Sequence, residues 1–224
     1  MREIVLDTET TGLSPNAGDK ILEIGCVELI NKVPSGAVFH RYINPGRDVP
    51  EGAFAIHGLS EEFLSDKPMF SEIVDTFLEF LGEAHLIIHN AEFDIGFLNS
   101  ELELVNRPRI PMSRTTDTIR LARQKFPGSP ASLDALCKKF KIDCSNRTLH
   151  GALLDSQLLA EVYQELSGGR QGGLTFETTK NLADDAEVPR KQIRRPRAAT
   201  ADPEELAAHS AFIGRFKKSL WNQP

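Results

Sequence analysis

Ile4, Val5 and Leu6 run directly into Asp7 and Glu9, and this meeting of an apolar strand with two acids restricts the folds open to the chain. An apolar run that short, bounded by the turn residues Gly12, Ser14 and Pro15, reads as a buried strand. Side chains alternate across a sheet, so Asp7 and Glu9 share one face at the strand's end. Two unit charges ~4 Å apart repel by about 1 kcal/mol in water and about 4 kcal/mol at the effective dielectric near a protein surface. A hard divalent cation removes that repulsion. Carboxylates with no thiolate or imidazole pair beside them suit Mg²⁺ or Mn²⁺. From this segment alone, a solvated strand end with Thr8, Thr10 and Thr11 as turn residues reads equally well.

Downstream, residues 20–30 and 37–43 read as two further strands across a loop marked by Asn31, Pro34, Ser35 and Gly36, which gives a three-strand meander. Residues 71–81 set Ile73, Val74, Phe77, Leu78 and Leu81 at the spacing of one buried helical face. Leu86 to Ile88 form another short strand. Helical patterns follow over 91–104, 117–126, 132–140 and 151–166, with start or stop signals at Ser132 and at Pro127 and Gly128. Strands first and strand-helix units afterwards predict a mixed α/β sheet within residues 1–168.

Past Gly168 the composition changes. Gly169, Gly172, Gly173 and a basic run over 190–197 mark residues 169–201 as a flexible linker. Asp202 as N-cap, followed by Pro203 and two glutamates, starts a terminal segment over 202–224 with Leu206, Ile213, Phe216 and Leu220 on one helical face. No internal repeat is visible.

With 224 residues, 40% of them hydrophobic and 26% charged, the chain has the composition of an ordinary globular protein with one domain plus appendages. No apolar run approaches the ~18 residues of a membrane span, and Met1, Arg2 and Glu3 lack the layout of a signal peptide, so a cytoplasmic protein without membrane contact is expected. The three cysteines, Cys26, Cys137 and Cys144, form no Cys-x-x-Cys pair and are expected to be reduced. Of the 26 Lys+Arg and 32 Asp+Glu, residues 1–168 hold 16 and 25, leaving a net charge of −9 there and +3 in the remainder. An acidic body argues against a protein that coats nucleic acid by neutralising phosphates, so any such contact should be local and metal-assisted.

Three more residues complete a constellation. Asp94, in IIHNAEFDIGFLNS, lies in the first turn of a helix, where a carboxylate is favoured by the helix dipole alone. Asp155 sits inside the apolar pattern of Leu153, Leu154, Leu158, Leu159 and Val162, where an acid needs a partner. His150 precedes it by five residues, about 140° away on an ideal helix, so it belongs before the helix or in its first turn. A lone histidine is more often structural.

Taken in order, a strand carrying DTE, a strand-HNAEFD-helix unit and H-x4-D on a late helix resemble the DEDD exonucleases, in their histidine-bearing DEDDh branch. The resemblance spans nearly all of residues 3–166. Further stretches, VLDTETTG, the IHG of residues 56–58, SLDALC and RTLHGALLD, are similar to the proofreading exonucleases of bacterial DNA polymerase III. That resemblance implies a ribonuclease-H-like fold, a five-stranded mixed sheet flanked by helices, and removal of nucleotides from DNA 3′ ends as 5′-mononucleotides. It implies two divalent cations, with Asp7 bridging both, Glu9 and Asp155 on the first and Asp94 on the second, and His150 as general base. Thr10, Gly12, His57, Asn90 and Phe93 would contact the terminal nucleotide. His40 and His85 belong to no constellation and read as structural.

By the same resemblance, Gln171, Leu174 and Phe176 in QGGLTF look like a peptide that docks on the bacterial sliding clamp, and the terminal segment ending in Trp221 looks like the part that binds the polymerase III alpha subunit. A free-standing DEDDh nuclease acting on RNA or short oligonucleotides would share the five residues without needing that tail. A non-catalytic scaffold bridging clamp and polymerase would not need all five.

Overall fold

A computed structural model describes residues 1–145, 147, 149–168 and 202–215. The chain divides into two units, residues 1–175 and 176–224. In the first, β1 (Arg2–Thr10) is the middle strand of a five-stranded sheet of order β3-β2-β1-β4-β5. β2 (Ile21–Ile30) and β3 (Val33–Tyr42) complete an antiparallel meander, while β4 (His85–Ile88) and β5 (Thr115–Asp117) add on parallel. The mixed sheet follows from the connections: short turns permit antiparallel pairing, whereas helices must intervene between parallel strands.

Ile4, Val5 and Leu6 are fully buried because helices cover both faces of β1. Ile4 and Leu6 join Phe77 of α3 (Phe70–Leu81) and Leu98 of α4 (Ala91–Leu104) in one cluster. Val5, on the opposite face, packs with Ala122 of α5 (Thr118–Lys125), Leu136 of α6 (Leu133–Phe140) and Leu159 of α7 (Ala152–Leu166).

Three local features depart from the sequence expectations. The loop expected over 31–36 shrinks to a two-residue turn, with Asn31 and Lys32 at φ 52° and 67°, the conformation that matches strand twist. Pro34 lies within β3, an edge strand, where a missing N–H is tolerated. Two short helices, α1 (Glu51–His57) and α2 (Glu61–Leu64), occupy a stretch to which the sequence pattern assigned no element. α1 leaves Phe54 and Ile56 exposed, so it lacks the buried stripe that announces a helix. β5 is the polar Thr-Thr-Asp, and its Asp117 caps α5 by accepting from the Ile119 N–H at 2.8 Å.

In the second unit the described residues form α8 (Pro203–Ile213), started by Asp202, which accepts from the Glu204 N–H, and by a reciprocal bond to Glu205. Gln171, Leu174, Phe176, Phe216, Leu220 and Trp221 lie outside the described residues. Among those described, no helix is long and apolar enough to cross a membrane. All three cysteines are free.

α7 lies along β1 and β2, and Gly25 lets it approach. Gly25 pairs with Asp7 across the β1-β2 ladder, and a Cβ there would strike the backbone of Ala152 and Leu153. Its carbonyl accepts from Ser156 Oγ at 2.8 Å, and farther along Tyr163 donates to Glu3 at 2.7 Å. From residue 155 to 163 a helix rises ~12 Å, and from residue 3 to 7 a strand spans ~13 Å. The two elements therefore stay in step, running in opposite directions. Gly25→Ala is expected to lower unfolding free energy by about 1–3 kcal/mol in urea denaturation. Gly52→Ala, at an open position in α1, should change it by no more than about 1 kcal/mol. Equal stability of the two variants would mean that the α7 contact has slack.

Candidate active site

The face of β1 that carries Val5 continues with Asp7 and Glu9, and the ladder to β2 shifts register between Glu9 and Thr10, where the strand ends. Because α7 runs antiparallel to β1, its first turn brings Asp155, 3% exposed, over this acidic end. Asp94 enters from α4, held by the Thr8 hydroxyl donating to its Oδ1 at 2.7 Å. Asn90, one residue before α4, adopts φ 73°, a left-handed conformation asparagine tolerates, and its N–H donates to Asp117.

His150 stands two residues before α7. Its N–H donates to the Ile56 carbonyl at 3.1 Å, so the end of α1 anchors it. The imidazole is half exposed, with Nδ1 3.3 Å from Asp155 Oδ2. Ligand atoms of Glu9, His150 and Asp155 all lie within 4.8 Å of one another. Asp7, Glu9, Asp94, His150 and Asp155 line one open cavity of about 380 Å³, within the range of sites that take a small ligand.

A cation not singled out in the sequence shares this cavity. Arg147 is almost fully enclosed, and its Nε and Nη2 donate to the two carboxylate oxygens of Asp155 at 2.5 and 2.7 Å. Nη2 also lies 2.8 Å from His150 Nδ1, and Nη1 bonds Asp134 of α6. It stands three residues before His150 in RTLH; its charge in an otherwise acidic constellation was the available signal. His89, beside the HNAEFD acids, also lines the cavity, with its Nδ1 2.9 Å from Thr118 Oγ1.

One guanidinium does not balance the acids. Enclosure, then Asp94 and Glu9, push the Asp7 carboxyl well above the ordinary range. Burial, then the cross-strand Glu23, raise Glu9 to about 8. Burial raises Asp94 to about 7 against the Thr8 hydrogen bond. Desolvation thus outweighs the available donors at all three positions.

Asn90 and Phe93 line the cavity, whereas Thr10, Gly12 and His57 lie outside its lining. Thr10 donates to the Gly12 carbonyl at 2.6 Å within the turn after β1. His57 is buried at the end of α1, with Nδ1 accepting from the Leu59 N–H and Nε2 without a partner among the described residues. Its burial disfavours the protonated ring. His40 bonds Glu23 at 2.6 Å and His85 bonds Thr116 at 2.8 Å, both within the sheet.

The RNase_T exonuclease family model matches residues 4–163. A Rickettsia felis protein named DNA polymerase III subunit epsilon is 51% identical over 226 residues, covering 98% of each chain. The Escherichia coli K12 protein of the same name is 46% identical over 237 residues, covering 98% of this chain and 97% of its own. Among solved structures, Exonuclease X in complex with 5′ overhanging duplex DNA is 28% identical with a TM-score of 0.57, over 73% of this chain and 90% of that one. The nuclease domain of 3′hExo, a DEDDh family member bound to rAMP, is 19% identical with a TM-score of 0.62, over 75% and 92% of the two chains, and bears on the fold.

Raised carboxyl pKa values have a thermodynamic consequence. At a pH between the ordinary glutamate value and about 8, the folded chain holds more protons at Glu9 and Asp94 than the unfolded chain does. Stability therefore falls as pH rises through that window. In the presence of a chelator, melting temperature should decline from pH 5 to pH 8.5, with a loss on the order of a few kcal/mol. Millimolar Mg²⁺ should reduce that decline. A melting temperature that rises over the same range in chelator would contradict the electrostatic account.

Proposed function

The chain belongs to the RNase_T exonuclease family, and from that premise we propose that it is the proofreading 3′-5′ exonuclease of a bacterial DNA polymerase III, hydrolysing mispaired 3′-terminal nucleotides to 5′-mononucleotides. The observation that carries this reading is the convergence of Asp7 and Glu9 from β1, Asp94 from α4, Asp155 from α7 and His150 from the segment before it on a single cavity.

Once ionised, the four acids of the constellation outnumber the one guanidinium and would repel a phosphodiester. The donor set fits a hard divalent cation: clustered carboxylate oxygens outnumber the two imidazoles, His89 and His150, and there is no thiolate among the described lining residues. Asp7, Glu9, Asp94 and Asp155 are the residues that would hold Mg²⁺ or Mn²⁺, which when bound polarises the phosphate and supplies an activated water.

The chain's own residues do the rest. His150, half exposed at the cavity, takes the proton of the attacking water, a task suited to an imidazole. When Nδ1–H is directed to Asp155 Oδ2, Nε2 is left as the basic nitrogen. Phe93 offers a ring on which the terminal base can stack, and Asn90 an amide for its polar edge.

Relatives aligned over nearly the whole chain support extending the assignment to the tail. Gln171, Leu174 and Phe176 form a short peptide with two apolar anchors, suited to a shallow groove on the sliding clamp. Residues 202–224, with Trp221, are the segment assigned to the polymerase alpha subunit.

Asp7→Ala and His150→Gln should each lower mononucleotide release from a 3′-mismatched DNA primer by about 10²-fold or more while leaving circular dichroism unchanged. Full activity in either variant would overturn the role of the residue it replaces. Leu174→Ala with Phe176→Ala should weaken binding in a clamp titration by about tenfold or more. Unchanged affinity would remove the clamp assignment and leave the nuclease assignment intact.

A further inference from the structure

Arg147 is the one cation other than histidine among the described residues lining the acidic cavity. A guanidinium that merely neutralised the site could lie anywhere near it. This one engages both oxygens of Asp155 and, with the same Nη2, approaches Nδ1 of His150, so two of the five residues assigned to the chemistry are held by a single side chain. Its fork geometry allows that double engagement, which a lysine ammonium could not reproduce.

Both contacts oppose the active arrangement. A divalent cation held by Asp155 would compete with Arg147 for the two carboxylate oxygens, each of which already accepts a guanidinium hydrogen bond. An arginine can only donate, so the Nη2 contact makes Nδ1 of His150 an acceptor. In a neutral imidazole the proton then sits on Nε2, which has no lone pair for the proton of water. The alternative partner of Nδ1 is Asp155 Oδ2 at 3.3 Å, an acceptor that would place the proton on Nδ1 and free Nε2. Arg147 and Asp155 thus impose opposite tautomers on one ring. Asp134, largely exposed on α6 and bonded to Nη1, provides a carboxylate to retain the guanidinium once it leaves Asp155.

We propose that Arg147 is a built-in counter-cation that occupies Asp155 and holds His150 in its non-basic tautomer, and that binding of a divalent cation displaces it. It is a positioning residue, acting through Asp155 and His150. It couples metal arrival to activation of the base, so the histidine becomes competent only when the site is loaded. The inference rests on the metal-dependent nuclease function proposed for the same cavity.

The test uses the full-length chain, stripped with chelator and then dialysed free of it, as wild type, Arg147→Gln and Arg147→Lys. Mg²⁺ affinity is measured by titration calorimetry. Removing a neighbouring positive charge should tighten Mg²⁺ binding about tenfold in Arg147→Gln, with Arg147→Lys between it and wild type. Nitrogen NMR of the six histidines at pH 8, with the His150 signals assigned by their loss in His150→Gln, reads the tautomer. In wild type without Mg²⁺ the proton should sit on Nε2 and should move to Nδ1 on saturation. In Arg147→Gln it should sit on Nδ1 from the start.

Equal or weaker Mg²⁺ binding by Arg147→Gln overturns the role of Arg147, as does a His150 proton on Nδ1 in wild type before Mg²⁺ is added. If Arg147→Gln does not fold, wild type and Arg147→Lys decide the matter by the same two measurements. Absence of Mg²⁺ binding by every form removes the proposed Mg²⁺ site and this inference with it.

Discussion

The seat of α7 on Gly25 is the contact on which the remaining geometry depends. Asp7 and Glu9 owe their shared face to strand alternation, which any strand would supply. Asp155 reaches them only because a helix backbone comes down on the one β2 position without a side chain, directly opposite Asp7 in the ladder. The Ser156 and Tyr163 hydrogen bonds fix the helix along its axis, and the cluster around Val5, Leu159 and Val162 supplies the apolar burial that holds it there. Hydrophobic packing on both faces of β1 thus forces together carboxylates that repel one another.

That repulsion is visible in the protonation of the site. Glu9 and Asp94 are held above the ordinary carboxylate range by burial, with neighbouring acids adding to the effect, the Arg147 charge opposing it at Glu9 and hydrogen bonds, the Thr8 hydroxyl first among them, opposing it at Asp94. A purely structural acid cluster of this kind would be a liability, since apolar residues of similar volume would fold more stably. Its place at a cavity open to solvent is consistent with the counter-charge proposed to arrive with a ligand. Arg147 offsets part of the excess and leaves room for more positive charge.

The central strand, the three-strand meander and the long helices were legible in the sequence because their apolar spacing is unambiguous, as at Ile73, Val74, Phe77 and Leu81. The short elements were not. α1 and α2 present too few buried residues to show a period, and β5 is three polar residues recognisable only by pairing with β4. At the site, the Asp7 and Glu9 pairing followed from alternation, but Asp94 and His150 had sound structural readings until resemblance grouped them. Arg147 escaped because its meaning lies in distance: it is eight residues from Asp155 in sequence and bidentate to it in space. The tight approach at Gly25 was equally invisible, since nothing in a strand pattern says which face a later helix will cover.

Within the cavity, the carboxylates and the histidine are held in different ways. Asp7, Glu9, Asp94 and Asp155 project from β1, α4 and α7, elements locked by the two apolar clusters. His150 lies outside any helix or strand, tied to the body by one backbone bond to Ile56 and by side-chain contacts with Arg147 and Asp155. Rigid elements suit the metal-holding role proposed for these acids, whose geometry would have to persist through turnover. The proton-carrying role proposed for His150 requires a change of partners, and a residue on a tethered segment makes that change without disturbing the sheet. α1, the helix that the sequence hid, therefore bears on the site: its last turn is where the tether is fastened, so a change in how α1 packs would reach His150 before it reached the carboxylates.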